Sequence, residues 1–137
     1  MAASTPPHGP LKILIVEDNR DARTTLRMLL TMGYGHVVLE AAEGLCAIQL
    51  ALDQRPHVAL IDLGLPDIDG YEVARRIREA LPRSEIFLAA LTGYSDDDDR
   101  ARPEEAGFDV HLVKPVESAA LAKLLTRVGG AGAARRD

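Results

Sequence analysis

The chain has 137 residues and a net charge of -5, with 47% hydrophobic and 27% charged residues, the balance of one soluble domain that builds its own core. The negative charge argues against a general nucleic-acid or anionic-membrane binder. Cys46 is the only cysteine, so no internal disulfide can form, and neither a secretory h-region nor a membrane-length apolar run is present; a cytoplasmic domain with no membrane contact is expected.

Residues 1–10 are small, polar and Pro-rich and read as a flexible lead-in. "LKILIV" (Leu11–Val16) is the first strand. "RDARTTLRMLLTMG" follows as a helix with Ala22, Leu26, Leu29, Leu30 and Gly33 on one face and Gly33 as its stop. "HVVLEA" is a weaker strand. "GLCAIQLALDQ" is a helix whose Leu45, Ile48 and Leu52 share a face. "HVALI" (His57–Ile61) is a third strand. "DGYEVARRIREAL" is a helix with Val73, Ile77 and Leu81 inward and Arg75, Arg76 and Arg78 outward, started by Asp69 or Asp67 as N-cap. "EIFLAAL" is a fourth strand and "SDDDDRARPEEAG" a poorer helix, short or kinked at Pro103. "DVHLV" is a fifth strand, and "SAALAKLLTRV" a last helix ending at Val128. Residues 129–137, rich in Gly and Ala, read as a flexible tail, leaving 11–128 as the domain.

Strands alternating with helices, the strands apolar without a period of two, imply a parallel sheet covered on both faces. Five such units predict a flavodoxin-like (βα)5 α/β fold, a doubly wound parallel sheet of strand order 2-1-3-4-5. All carboxyl ends of a parallel sheet share one edge, where ligands bind. Glu17 and Asp18 follow the first strand, Asp62 the third, Thr92 the fourth, and Lys114 and Pro115 the fifth. Three carboxylates at about 5 Å and an effective dielectric near 20 repel by about 3 kcal/mol per pair, so they retain protons or hold a cation. Oxygen donors without His or Cys select a hard ion, Mg²⁺ first. Lys114 and the Thr92 hydroxyl suit phosphoryl oxygens, and Asp62 is placed as a nucleophile. Taken singly, each has an ordinary alternative, such as an acidic pair favouring a helix N-terminus. The coincidence at four strand exits favours a site.

The motifs "ILIVEDN", "VALIDLGLPDIDGYEVAR", "LTGY" and "HLVKP" resemble the response-regulator receiver domain (CheY-like) of two-component signalling, over Leu11 to Val128. The resemblance implies that Glu17, Asp18 and Asp62 hold Mg²⁺ with the Gly64 backbone carbonyl. It implies that Asp62 accepts a phosphoryl group from a phosphohistidine, with Thr92 and Lys114 contacting it, and that the Lys114–Pro115 bond is cis. It further implies a signalling switch rather than a metabolic enzyme, a phosphoacceptor that assists its own phosphorylation and dephosphorylation. The partners implied are a sensor histidine kinase or histidine phosphotransfer domain and a downstream target. On the first helix Thr25, Met28 and Met32 fall on the flank that such a partner would meet, and flexible methionines suit a transient contact.

Some positions depart from the commonest pattern. Gly64 offers no side chain over the site, Tyr94 is bulky enough to cover part of it, and His111 stands where a switch aromatic is usual, pairing with Thr92 in the switch. Three other readings compete: a receiver excised from a hybrid sensor histidine kinase, a non-switching interaction module, and a haloacid-dehalogenase-like phosphatase. In the last of these the aspartate motif leaves a strand directly, whereas "DIDG" here follows Pro66. "DIDG" also fails as a calcium loop, for want of an oxygen ligand at Leu65. Asp96 to Asp99, capped by Ser95, read as solvated acids at a helix start.

Overall fold

A computed structural model describes residues 10–33, 35–93 and 106–136, the side chains of 129–136 excepted. Among these residues are five strands, β1 (Lys12–Val16), β2 (Val37–Ala41), β3 (Val58–Asp62), β4 (Phe87–Thr92) and β5 (Val110–Val113). Four α-helices accompany them, α1 (Arg20–Met28), α2 (Gly44–Gln54), α3 (Gly70–Ala80) and α4 (Ser118–Arg136). The strands form one sheet in the order β2-β1-β3-β4-β5, every adjacent pair parallel, as the alternation of elements predicts. The helix expected over residues 95–107, with Ser95, Asp96–Asp99 and Pro103, falls largely outside the described residues, as does Tyr94.

The core lies on both faces of the sheet. Leu14, Val16, Ala59, Ile61, Leu88 and Ala90 face α2 and α3, meeting Ala47, Ala51, Val73 and Ile77. The alternate residues Ile13, Ile15, Val58, Leu60, Phe87, Ala89 and Leu91 face α1 and α4, meeting Leu26, Leu30, Leu121, Leu124, Leu125 and Val128. This explains why the central strands show no alternation in sequence: both of their faces are buried, at roughly 1.5–3 kcal/mol for each large aliphatic side chain. β2 and β5 are the edges and are partly exposed.

Several expectations are corrected. In α2 the buried residues are Gly44, Ala47 and Ala51, while Leu45 is 54% and Leu52 36% exposed. The leucine face points outward because the helix approaches the protein too closely for large side chains: a Cβ on Gly44 would lie 2.7 Å from both Ile68 and Val73. Arg78 turns inward, with its side chain 12% exposed against Asp109 at 9%. Its guanidinium donates to the carbonyls of Gly107 and Ile86 and to Asp109 at 2.7–2.9 Å. Gly33 is exposed, with open space around it, because α1 continues into a π-helical turn (Leu29–Gly33) that shifts the helical register. Gly35 then takes a left-handed φ of 75° and its N–H reaches the Thr31 carbonyl. The last helix runs on to Arg136, past the expected end at Val128.

Candidate functional site

Each candidate side chain is delivered by a strand end. Val16 closes β1, and Glu17 follows it with its N–H bonded to the Ala41 carbonyl. Glu17 is almost fully buried. Its Oε2 accepts the Asn19 N–H at 3.0 Å, its Oε1 accepts from Lys114 Nζ at 3.0 Å, and its carbonyl accepts from Arg23 at 2.8 Å. Burial pushes the Glu17 carboxyl up and the Asp62 charge adds to this, while the Asn19 and Lys114 bonds pull it back only in part. Asp18, next along, is exposed.

Asp62 is the last residue of β3, so the sheet fixes its backbone. It is 8% exposed, its Oδ1 accepts the Gly64 N–H at 3.1 Å, and its Oδ2 lies 3.3 Å from Lys114 Nζ. Ligand oxygens of Glu17, Asp18 and Asp62 come within 4.8 Å of one another. Burial works against the Lys114 ammonium, but the bond to Glu17 and the charges of Asp62 and Glu17 outweigh it and leave its pKa raised. An all-oxygen donor set at this spacing fits a hard divalent ion such as Mg²⁺, and Lys114 supplies the compensating charge among the protein's own groups.

Thr92 ends β4 one register step beyond the partner of Asp62 and is buried; its hydroxyl donates to the Leu112 carbonyl at 3.4 Å. Lys114 N–H bonds the Thr92 carbonyl at 2.7 Å, holding the lysine beside β4. The Lys114–Pro115 bond is cis. His111 is exposed on the edge strand opposite Ala90. Sequence reasoning missed Asn19, which holds Glu17 and also caps α1 by accepting the Ala22 N–H; an Asn before the helix was the available signal. Asp69 caps α3 through the Glu72 N–H, whereas Asp67 accepts from α2 instead.

Beside the acids a groove of about 480 Å³ runs between α1 and residues 114–116, lined by Asn19, Ala22, Thr25, Leu29 and Val116 among others. A second groove continues past Thr25, Met28, Met32 and Gly33. Met28 is 46% and Met32 67% exposed.

Fold and site together define an open α/β domain with a cluster of acids around a central aspartate and a lysine paired to two of them. The chain belongs to the response regulator receiver domain family, whose model matches residues 13–126. It is 39% identical over 109 residues to the transcriptional regulatory protein AfsQ1 of Streptomyces coelicolor, covering 80% of this chain and 47% of that protein. The chain thus spans about half the length of that relative. It is also 35% identical over 116 residues to an uncharacterized 14.6 kDa protein of Leptolyngbya boryana, covering 84% of this chain and 87% of that one. Among solved structures it is similar to the receiver domain of the sensor histidine kinase PA1611 from Pseudomonas aeruginosa, at 35% identity and a TM-score of 0.77, covering 89% of this chain and 99% of that one. That structure has a magnesium ion coordinated in its active site cleft. Receiver domains are signalling switches of two-component systems. Among the described residues no helix is long and apolar enough to cross a membrane.

Proposed function

We propose that this chain is a phosphorylation-dependent switch in which Asp62 is the phosphoacceptor. The observation that carries the reading is the convergence on Asp62: two further carboxylates lie within 4.8 Å and the Lys114 ammonium at 3.3 Å. A carboxylate oxygen of Asp62 attacks the phosphorus of a phosphohistidine on a sensor kinase or phosphotransfer domain. The P–N bond breaks, the imidazole leaves and takes up a proton, and an acyl phosphate forms on Asp62. Water hydrolysing that acyl phosphate returns the carboxylate and inorganic phosphate.

Glu17, Asp18, Asp62 and the Gly64 carbonyl are the groups that would hold Mg²⁺. When bound, the ion neutralises charge on the transferred phosphoryl oxygens. Lys114 holds a positive charge against the same oxygens, and its raised pKa keeps it protonated. Thr92 is the switch: its hydroxyl turns from the Leu112 carbonyl to a phosphoryl oxygen, loosening β4 from β5, and His111 on β5 responds. The partner docks on α1 and the π-helical turn that continues it, with Thr25, Met28 and Met32 in the contact, in keeping with the exposed methionines along the second groove.

Incubation with a small phosphodonor, with and without Mg²⁺, followed by mass spectrometry, tests the assignment. Modification at Asp62 that requires Mg²⁺ and disappears in Asp62→Asn is expected. Label that survives either Asp62→Asn or chelation overturns it. Met28→Asp should slow transfer from the partner and spare the small donor.

A further inference from the structure

The loop of residues 63–69 carries the Gly64 carbonyl and is largely at the surface, with Gly64, Pro66 and Asp67 exposed. An exposed loop of this kind opens easily unless something outside it holds it. Its ends are tied to the sheet and to each other: the Leu63 N–H bonds the Leu91 carbonyl of β4 at 3.3 Å, the Gly64 N–H bonds Asp62 Oδ1 at 3.1 Å, and the Gly70 N–H bonds the Leu63 carbonyl at 3.0 Å. In its middle the hold comes from α2. Asp67 Oδ1 accepts the Gly44 N–H at 2.8 Å and Oδ2 accepts the Leu45 N–H at 2.9 Å. Glu43, the residue at the N-cap of α2, makes no side-chain cap bond, so the loop aspartate caps a helix from 23 residues away. The two backbone bonds hold the Asp67 carboxyl down to about 2.

A second contact reinforces the first. The Cβ that Gly44 lacks would lie 2.7 Å from Ile68 Cγ1, so the first turn of α2 packs directly on the residue after Asp67. Hydrogen bonds to Asp67 and packing on Ile68 therefore tie two adjacent loop residues to the same helical turn.

We propose that Asp67 is a positioning residue for the metal site: by clamping the loop to the first turn of α2 it holds the Gly64 carbonyl where Mg²⁺ meets Glu17, Asp18 and Asp62. The inference rests on the reading of those groups as the Mg²⁺ site. Carbonyl ligands on loops work only when their backbone is held in place, and the residues that hold ligands affect metal affinity without touching the metal. Coupling is reciprocal, so Mg²⁺ at Gly64 also steadies the start of α2.

The test compares Asp67→Ala with Asp67→Asn in the full chain. Both remove the charge of residue 67, but Asn keeps a carbonyl oxygen able to hold one of the two N–H groups. Mg²⁺ titration followed by amide NMR shifts reads the affinity, and hydrogen exchange at residues 64–68 without Mg²⁺ reads the clamp alone. Asp67→Ala is expected to weaken Mg²⁺ by about tenfold. Asp67→Asn should weaken it clearly less, with loop exchange fastest in Ala and intermediate in Asn. Equal weakening in both variants would mean a charge effect and overturns the clamp, as does loop exchange unchanged in Asp67→Ala. A wild-type chain that binds no Mg²⁺, with loop exchange still ordered Ala, Asn, wild type, overturns the metal reading while the clamp itself stands as a structural tie.

Discussion

Gly70 and Gly64 bracket the turn after Asp62, and they meet their surroundings differently. A Cβ on Gly70 would lie 2.6 Å from the Asp62 carbonyl oxygen and 2.8 Å from Leu63 Cα. Both are backbone atoms and cannot rotate aside, so α3 can start beside the end of β3 only with glycine there. Gly70→Ala should cost about 1–3 kcal/mol and displace the backbone that carries Asp62. Urea unfolding reads the first effect, and the rate of labelling by a small phosphodonor reads the second. A Cβ on Gly64 would meet only Asp62 Oδ1, at 3.9 Å. Gly64→Ala should therefore stay within about 0.5 kcal/mol of the wild type in the same unfolding experiment. Equal losses in the two variants would show that steric approach is not what distinguishes these glycines.

At the scale of elements, one buried ion pair joins three of them. Arg78 on α3 reaches Asp109, which precedes β5, and Asp109 Oδ2 also accepts the Leu88 N–H of β4 at 2.9 Å. Arg83 adds a second cation to Asp109 from a more exposed position. Arg78→Met leaves a nearly buried carboxylate with the Leu88 N–H and, as its one cation, the outer arginine, and it takes the guanidinium donor from the carbonyls of Gly107 and Ile86. A loss of about 3–5 kcal/mol is expected. Adding Asp109→Asn to Arg78→Met should recover part of it, and a double variant no better than the single one would mean that the charge is not the cause. The sequence showed this helix as three outward arginines because periodicity locates a face but not a partner more than thirty positions away on the chain. α2 failed for a related reason. Leu45, Ile48 and Leu52 make the stronger apolar stripe, yet only Ile48 of them packs partly on the core, and the close approach at Gly44 selects the small residues Ala47 and Ala51 for the interface. Sheet order and the convergence of Glu17, Asp18, Asp62 and Lys114 in the candidate site were legible because both follow from strand ends: in a parallel sheet, whatever follows each apolar run arrives at one edge. Asp67 was legible only as a local cap, since its real partners lie on another helix.

Across the whole molecule the two edges of the sheet divide the work. The carboxyl edge gathers Glu17, Asp62, Thr92 and Lys114, crowded groups that suit a ligand more than they suit stability. The opposite edge gathers side chains that close off the starts of strands. Leu11 N–H, just before β1, donates to His36 Nδ1 at 2.9 Å, and Lys12 N–H donates to His57 Nδ1 at 2.9 Å. His36 is buried at the start of the edge strand β2, and its own N–H bonds the Leu30 carbonyl at 2.9 Å. Burial lowers the pKa of its imidazole below the ordinary 6.5. A protonated ring also has no lone pair for Leu11, because both nitrogens then donate. The folded chain thus binds this proton less readily than the unfolded chain. The stability that His36 contributes is complete above about pH 6.5 and is lost as pH falls through the lowered folded value. Asp67 follows the same direction in a lower window, its contribution falling only as pH drops from the ordinary carboxylate range towards about 2. His36→Asn keeps an acceptor oxygen for the Leu11 N–H but cannot titrate. Urea midpoints measured for both proteins from about pH 8 to about pH 5 should fall more steeply in the wild type, and changes from the acidic groups cancel in the difference. Parallel midpoint curves for the two proteins would show that His36 is not the group that ties the start of the sheet to pH.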